Sequence, residues 1–239
     1  AEKLSDEESG HYRALEWIIL EDPMQLLPED SNLIQRFLLA VFYFKTHEEG
    51  EWLSCNRKKE TDPDDVCFFQ QLVNPFPLEY RHVAHNRWLS NMNECHWVGV
   101  FCDESNQIRN IKLEGQKIKG TLPAYLAFLP FLQGIVLDSN EFYGTIPPEY
   151  GEIKHLLNFE VHYNSLTGTL PSWPKAKNLQ IFNIGSNAIT GTLPSDIKNL
   201  SNLKGLFLFD NLLTGTFPEE FAQMTSLSKL LWTAMRSCL

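Results

Sequence analysis

"LLNFEVHYNSLTGTLP" (156–171) decides the fold of this 239-residue chain. Apolar residues stand at its positions 1, 4 and 6, an asparagine at position 9, and L-x-G-x-L-P closes it. Aligned on L-x-x-L-x-L-x-x-N-x-L-x-G-x-L-P, five complete units begin at Ile108, Leu132, Leu156, Leu179 and Leu203, spaced 24, 24, 23 and 24 residues apart. A sixth begins at Leu227 and loses the Asn, the Gly and the Pro within "LSKLLWTAMRSCL". Position 9 reads Gln116, Asn140, Asn164, Asn187, Asn211 and then Met235. A period of this length is the mark of a stacked repeat.

The chemistry of one unit dictates how it stacks. Apolar residues at positions 1, 4 and 6 point inward around a short strand, whose period of two leaves positions 3, 5 and 7 facing outward. The asparagine turns inward, where its amide can satisfy backbone groups of adjacent coils. Gly permits a close or left-handed backbone and Pro fixes the bend after it. One unit cannot bury its own leucines, so neighbouring coils must cover them. The expected result over residues 108–239 is a curved solenoid with a parallel sheet on its concave face.

These motifs resemble the leucine-rich-repeat proteins of the 24-residue plant-specific type, whose signature is L-x-G-x-(I/L)-P. The resemblance runs over 108–239 and back through "WLSNMNECHWVGVFCD" (88–103), which is similar to that family's cap, W-x(n)-C-x-W-x-G-V-x-C. Plant and algal families of this layout include receptor ectodomains and secreted wall-enzyme inhibitors. The resemblance implies an α/β solenoid, a right-handed leucine-rich-repeat superhelix over 108–239 with a concave parallel sheet, preceded by a helical and disulfide-bonded N-terminal extension and cap over 1–107. The departures are Gln116, the 23-residue third unit with "PSWPKAKN", and the truncated sixth. The resemblance implies a Cys95–Cys102 disulfide, and Trp88, Trp97 and Val100 are expected in the cap core. Cys55 and Cys67 flank the polar "NRKKETDPDDV" loop and make a second candidate bridge; Cys238 has no evident mate. Two bridges place the chain in a secreted, cell-surface or other oxidising lumenal setting. Asn199-Leu-Ser201 is a glycosylation candidate.

Upstream, amphipathic helices are expected over about Ser5–Leu20 and Ser31–Thr46. Ser31 is the expected N-cap of the second, whose apolar face reads Leu33, Ile34, Phe37, Leu38, Val41 and Phe44. No apolar run reaches a membrane span, the longest being "FLLAVFYF" (37–44), and no basic n-region with an apolar h-region opens the sequence. The net charge of −10 is uneven: residues 1–102 carry 18 acids against 9 bases, and 103–239 carry 12 against 11. That balance argues against nucleic acid as a partner.

The catalytic motifs sought are not found. "HVAH" (82–85) near Cys95 and His96 has the residue types of a zinc site, but the cap cysteines are spoken for by the resemblance. "TDPDD" (61–65) lacks the spacing and turn glycine of a calcium loop. There is no G-x-S-x-G, phosphate loop or H-E-x-x-H. Asp138, Glu160 and His162 share neighbouring strands, yet an open sheet excludes water poorly. The expectation is a protein without enzymatic activity, cofactor or metal.

Two surfaces remain. On the concave sheet, position 5 reads Lys112, Val136, Glu160, Asn183, Phe207 and Leu231, and position 7 reads Glu114, Asp138, His162, Gly185, Phe209 and Thr233. Asp138, Glu160, His162, Tyr163, Ile181, Asn183, Phe207, Phe209, Asp210 and Leu231 form the candidate site for a protein partner, with the phenylalanines exposed as hot-spot residues inside a polar rim. The second surface is a ladder of Thr121, Thr145, Thr169, Thr192 and Thr216, with Thr167, Thr190 and Thr214 beside it, a pattern like threonine arrays that bind ice. The resemblance implies instead a second small sheet here, for which threonine is suited, and Lys119 and Tyr143 break the second column. A third expectation is a structural subunit of a larger assembly, docked through Leu230, Trp232 and Met235 at the C-terminal end.

Overall fold

The computed structural model describes residues 9–47, 49–56, 66–75, 78–215 and 224–231. Ser5, the "TDPDD" loop, Thr216, Trp232, Thr233, Met235 and Cys238 lie outside the described residues. The chain divides into two compact units, Ala1–Ile108 with Gln116–Ile118, and Arg109–Gly115 with Lys119–Leu239.

The first unit starts with α1 (Gly10–Glu16), capped by the Ser9 hydroxyl, which accepts from the Tyr12 amide at 3.2 Å. The chain then widens into a single π-turn, Trp17–Glu21, instead of continuing as the expected α-helix to Leu20. The widened turn buries Trp17 and Ile18 and turns Ile19 and Leu20 outward.

Helix α2 (Leu33–His47) begins two residues later than expected, with the Arg36 amide bonding the Asn32 carbonyl. Its predicted face is corrected too. From Leu38 to Phe44 every side chain is buried, whereas Ile34 is 64% exposed. Gln35 and Arg36, which stand outside that apolar face, are buried as well. Around α2 lies an aromatic core in which Trp88 stands 5.7 Å from Phe42, 5.0 Å from Trp52 and 5.4 Å from Trp97. Such pairs each add about 0.5–1.5 kcal/mol beyond area burial. Trp88, Trp97 and Val100 are buried, as the cap reading expects.

Cys95 is bonded to Cys102 and Cys55 to Cys67, with Cα–Cα separations of 5.5 and 5.4 Å. A feature not anticipated is an antiparallel hairpin of β1 (Val66–Pro75) and β2 (Leu78–Asn86), whose register pairs Cys67 with His85. Strand β3 (Val100–Cys102) follows in the cap.

In the second unit, strands β4 (Ile108–Lys112), β6 (Gly134–Val136), β8 (Asn158–Glu160), β10 (Ile181–Asn183), β12 (Gly205–Phe207) and β14 (Lys229–Leu231) lie side by side in that order, one per repeat. All the pairings between them are parallel and step by one repeat, so each row of a repeat position runs straight across the sheet. This is the predicted solenoid with its parallel concave sheet. In the five complete units no residue at positions 1, 4 and 6 is more than 2% exposed. Fully burying a side chain of this size contributes about 1.5–3 kcal/mol.

The asparagine column closes the coils. Asn164 Nδ2 donates to the carbonyls of Leu137, Val161 and His162, and its Oδ1 accepts from the Phe142 amide at 2.9 Å. Asn187 and Asn211 repeat the pattern one and two coils on. Gln116, the departure from the column, is also buried, and its Oε1 accepts from Ser54 Oγ within the first unit. The shortened third unit fills its arc with Trp173, which is buried 5.1 Å from Phe159 and 5.0 Å from Phe182.

Candidate functional site: the concave face

Outward positions of the sheet form rows. Row 5 is in register from Lys112 through Val136, Glu160, Asn183 and Phe207 to Leu231. Just beyond the strands, position 7 supplies Glu114, Asp138, His162, Gly185 and Phe209, and position 8 supplies Ser139, Tyr163, Ser186 and Asp210.

At position 8 the backbone is left-handed in four successive coils, with φ of 58° at Ser139, 52° at Tyr163, 51° at Ser186 and 51° at Asp210. The first coil has Gly115 there, at φ 67°. Ser and Asp are small polar residues; Tyr163 is bulky, and a bulky residue in this region is strained. Its ring is 55% exposed, 5.2 Å from that of His162 and edge-on to Phe209 at 6.3 Å.

Phe207 and Phe209 correct the expectation that they stand exposed. Both are half-buried because they lie down on glycines. A side chain at Gly185 would collide with the ring of Phe209, and a Cβ at Gly205 would sit 2.7 Å from the Phe207 ring and 3.1 Å from Ile181 Cδ1. Ile181 and Phe207 thus form one apolar floor, and Leu231 beyond it is 53% exposed. At the other end the slot of Gly134 is filled by the Asn110 side chain.

The first three coils are acidic. Glu114, Asp138 and Glu160 all hold their protons to higher pH than ordinary carboxylates, chiefly through burial. The charge of Asp138 adds to the effect at Glu114 and Glu160. Glu114 is the most exposed of the three. Ser139 Oγ donates to Asp138 at 3.1 Å, and Asn158 Nδ2 to Glu160 at 3.4 Å. His162 Nε2 stands 3.7 Å from Asp138 Oδ2, while its buried Nδ1 finds no hydrogen-bond partner among the described residues. Burial lowers the pKa of His162, favouring the neutral ring.

The face therefore joins Asp138, His162, Tyr163 and Phe209 into one strip, flanked by Glu160 on the acidic side and by Ile181, Phe207 and Leu231 on the apolar side. Asn183 bonds the Gly185 amide through Oδ1, and Asp210 accepts from Ser186 Oγ, so these two trim the edge. The repeat table also contained Glu114, but only its place beside Asp138 gives it a role in the field of the site.

The threonine rows lie elsewhere, along β5 (Lys119–Thr121), β7 (Glu141–Gly144) and β9 (Ser165–Leu166), and along β11 (Thr190–Gly191) and β13 (Leu212–Leu213), with Thr169 bridging to Thr190. Each has a stacking role. The γ-methyls of Thr145 and Thr169 lie where a Cβ at Gly168 or Gly191 would come within 2.6 and 2.8 Å. Those glycines, at φ 76° and 79°, leave the space. Thr121 and Thr192 sit likewise against Gly144 and Gly215. The hydroxyls of Thr167, Thr190 and Thr214 donate to the carbonyls of Gly144, Gly168 and Gly191 at 3.3, 3.1 and 3.2 Å. Asn199, the glycosylation candidate, is exposed at the end of a 3-10 turn, Ser195–Asn199. No helix among the described residues is long and apolar enough to cross a membrane.

With fold and face described, the class follows: this is a leucine-rich-repeat protein. The family described as Leucine Rich Repeat matches residues 178–200 and 202–224. Within that class its relatives are receptor-like proteins of plants. It is 36% identical over 83 residues to the leucine-rich repeat receptor-like serine/threonine-protein kinase RGI4 of Arabidopsis thaliana, covering 34% of this chain and 8% of that protein. It is 41% identical over 69 residues to receptor-like protein 47 of the same plant, covering 28% and 9%. The chain thus spans under a tenth of either relative, and the kinase in the first name belongs to parts outside the match. Among solved structures, a chain of the BIR3–SERK2 complex from Arabidopsis thaliana superposes with a TM-score of 0.53 at 26% identity, covering 62% of this chain and 83% of that one. A plant ice-binding protein gives 0.58 at 31% identity, covering 61% and 48%.

Proposed function

We propose that this chain is a non-catalytic recognition module of a secreted or cell-surface protein, and that it holds a protein or peptide partner across its concave sheet. The observation that carries the reading is Tyr163: a bulky ring kept at left-handed φ, 55% exposed, where the acidic coils meet the apolar ones. The left-handed φ belongs to this position in every complete coil; what is particular to this one is that a bulky, exposed side chain occupies it, and that choice supports use by a ligand. The partner's cationic groups face Glu114, Asp138 and Glu160, and its apolar side chains settle on Ile181, Phe207, Phe209 and Leu231. The BIR3–SERK2 complex, one chain of which has a similar fold, and the two disulfides are in keeping with it. The test is affinity capture of native complexes from the source with wild-type protein and with Phe207→Ala/Phe209→Ala. The variant should lose the captured partner; equal capture would sink the concave-face assignment.

The second reading is ice binding. The solved ice-binding relative favours it, as do the exposed side chains of Thr121, Thr145, Thr169 and Thr192 in one column. Thermal hysteresis that is present in the wild type and lost in Thr145→Lys/Thr169→Lys would establish it. No hysteresis at high concentration would dispose of it.

A further inference from the structure

We propose a second binding site, in the N-terminal unit, for a basic amphipathic segment of a partner protein. It is a cavity of about 580 Å³ between the π-turn, the loop that follows it and the first turn of α2. Leu15, Ile19, Leu20, Leu26, Ile34 and Phe37 are among its walls. That volume lies within the usual range of about 300–1,000 Å³ for ligand pockets. Ile19, Leu20 and Ile34 are 66, 74 and 64% exposed, a concentration of open aliphatic surface that a soluble fold does not need. The π-turn creates it: one residue more per turn brings Ile19 and Leu20 to the rim, and such turns recur at functional sites.

Charge selects the occupant. Between residues 15 and 37 the exposed ionisable side chains are Glu16, Glu21, Glu29 and Asp30, each beside or within a lining segment. The one base in that span, Arg36, is fully buried on Asp22. Asp22, which lines the cavity, is already engaged by the Arg36 fork and the Met24 amide, so the negative charge of this stretch comes from the four exposed acids that flank the lining residues in sequence. An aliphatic cavity whose lining segments carry exposed acids and no exposed base disfavours a fatty carboxylate or an anionic membrane surface. It attracts a segment that carries lysines or arginines beside large apolar residues.

The experiment uses the full chain and a fluorescent 14-residue amphipathic Leu/Lys peptide, with a Leu/Glu peptide and dodecanoate as competitors. Ile19→Ser/Ile34→Ser should weaken Leu/Lys binding at least tenfold; these side chains are exposed, and unchanged circular dichroism will show that the fold is kept. Glu16→Gln/Glu29→Gln should weaken binding severalfold and flatten its salt dependence. Asp138→Asn/Glu160→Gln, on the concave face, should leave it unchanged, which separates this site from the one proposed above. The proposal is overturned if the Ile pair has no effect, if salt dependence survives loss of the flanking acids, if the concave pair accounts for the binding, or if dodecanoate or Leu/Glu peptide competes equally well.

Discussion

Phe209 lies in the place that a side chain at Gly185 would occupy, one coil earlier at the same repeat position. The two residues are therefore a packed pair, and the missing Cβ is what gives the concave face a flat aromatic floor. Gly185→Ala should lift the ring and destabilise the solenoid by about 1–3 kcal/mol, the usual range for overpacking. Denaturant unfolding measures it. In a Phe209→Ala background the same change should cost almost nothing, because the clash is gone. An equal cost in both backgrounds would mean that the glycine serves its own backbone.

The acidic coils make a pH prediction. Glu114, Asp138 and Glu160 have raised pKa values, so in the carboxylate range the folded chain binds more protons than the unfolded one. Stability contributed by these groups is present at low pH and is lost as pH rises from their unfolded pKa through the raised folded value. His162, lowered by burial, acts the other way: its contribution is present above its unfolded pKa and falls away as pH drops toward the lowered folded value. Asp138→Asn removes one buried carboxylate and relieves two neighbours. It should raise stability at neutral pH and flatten the decline that sets in as pH rises above the carboxylates' unfolded pKa, measured by urea midpoints across a pH series. A partner that brings positive charge should bind with proton release.

Arg36 is the centre of the N-terminal unit. Its guanidinium meets Asp22 in a fork at 2.7 and 2.6 Å, donates to the carbonyls of Met92 and Ser90, and lies over the Trp97 ring at 4.6 Å. Glu94, also buried, is held by Gln35 at 2.6 Å and reaches Arg36 at 3.5 Å. Arg36→Met should cost about 3–5 kcal/mol, because it strands two buried carboxylates. Arg36→Lys should cost nearly as much, since an ammonium cannot reproduce the planar fork. Hydrogen exchange of the α2 amides would report the loss; unchanged protection would reduce the network to space-filling.

The sheet rows were legible because the repeat counts them out. Once Leu156 and Asn164 are aligned with their counterparts, the facing direction of Glu160 or Phe207 follows from a period of two. How exposed Phe207 and Phe209 are was not legible, since it depends on Gly205 beneath one ring and on Gly185, 24 positions away, beneath the other. Arg36 escaped for a related reason. Apolar periodicity assigns a charged residue to solvent, and only the partners Asp22 and Glu94, far off in sequence, reverse that. The threonines were legible as a column on a second small sheet; their individual partners, backbone carbonyls and empty glycine positions on the neighbouring coil, were not, because the repeat does not spell out contacts between coils.

Tyr163 offers the sharpest separation of fold from function. Its left-handed backbone costs a non-glycine residue about 1–2 kcal/mol, and Asn tolerates that region better than Tyr. The residue is more than half exposed, so it returns little packing beyond its ring contacts with His162 and Phe209. Tyr163→Asn should therefore leave the unfolding free energy unchanged or raise it by up to about 1 kcal/mol, while a captured concave-face partner dissociates at least tenfold faster. A structural tyrosine would behave in the opposite way: the variant would lose stability and keep its partner. Unfolding curves and surface plasmon resonance on the same two proteins distinguish the outcomes, and a Tyr163→Phe variant, which retains the ring, should bind like the wild type.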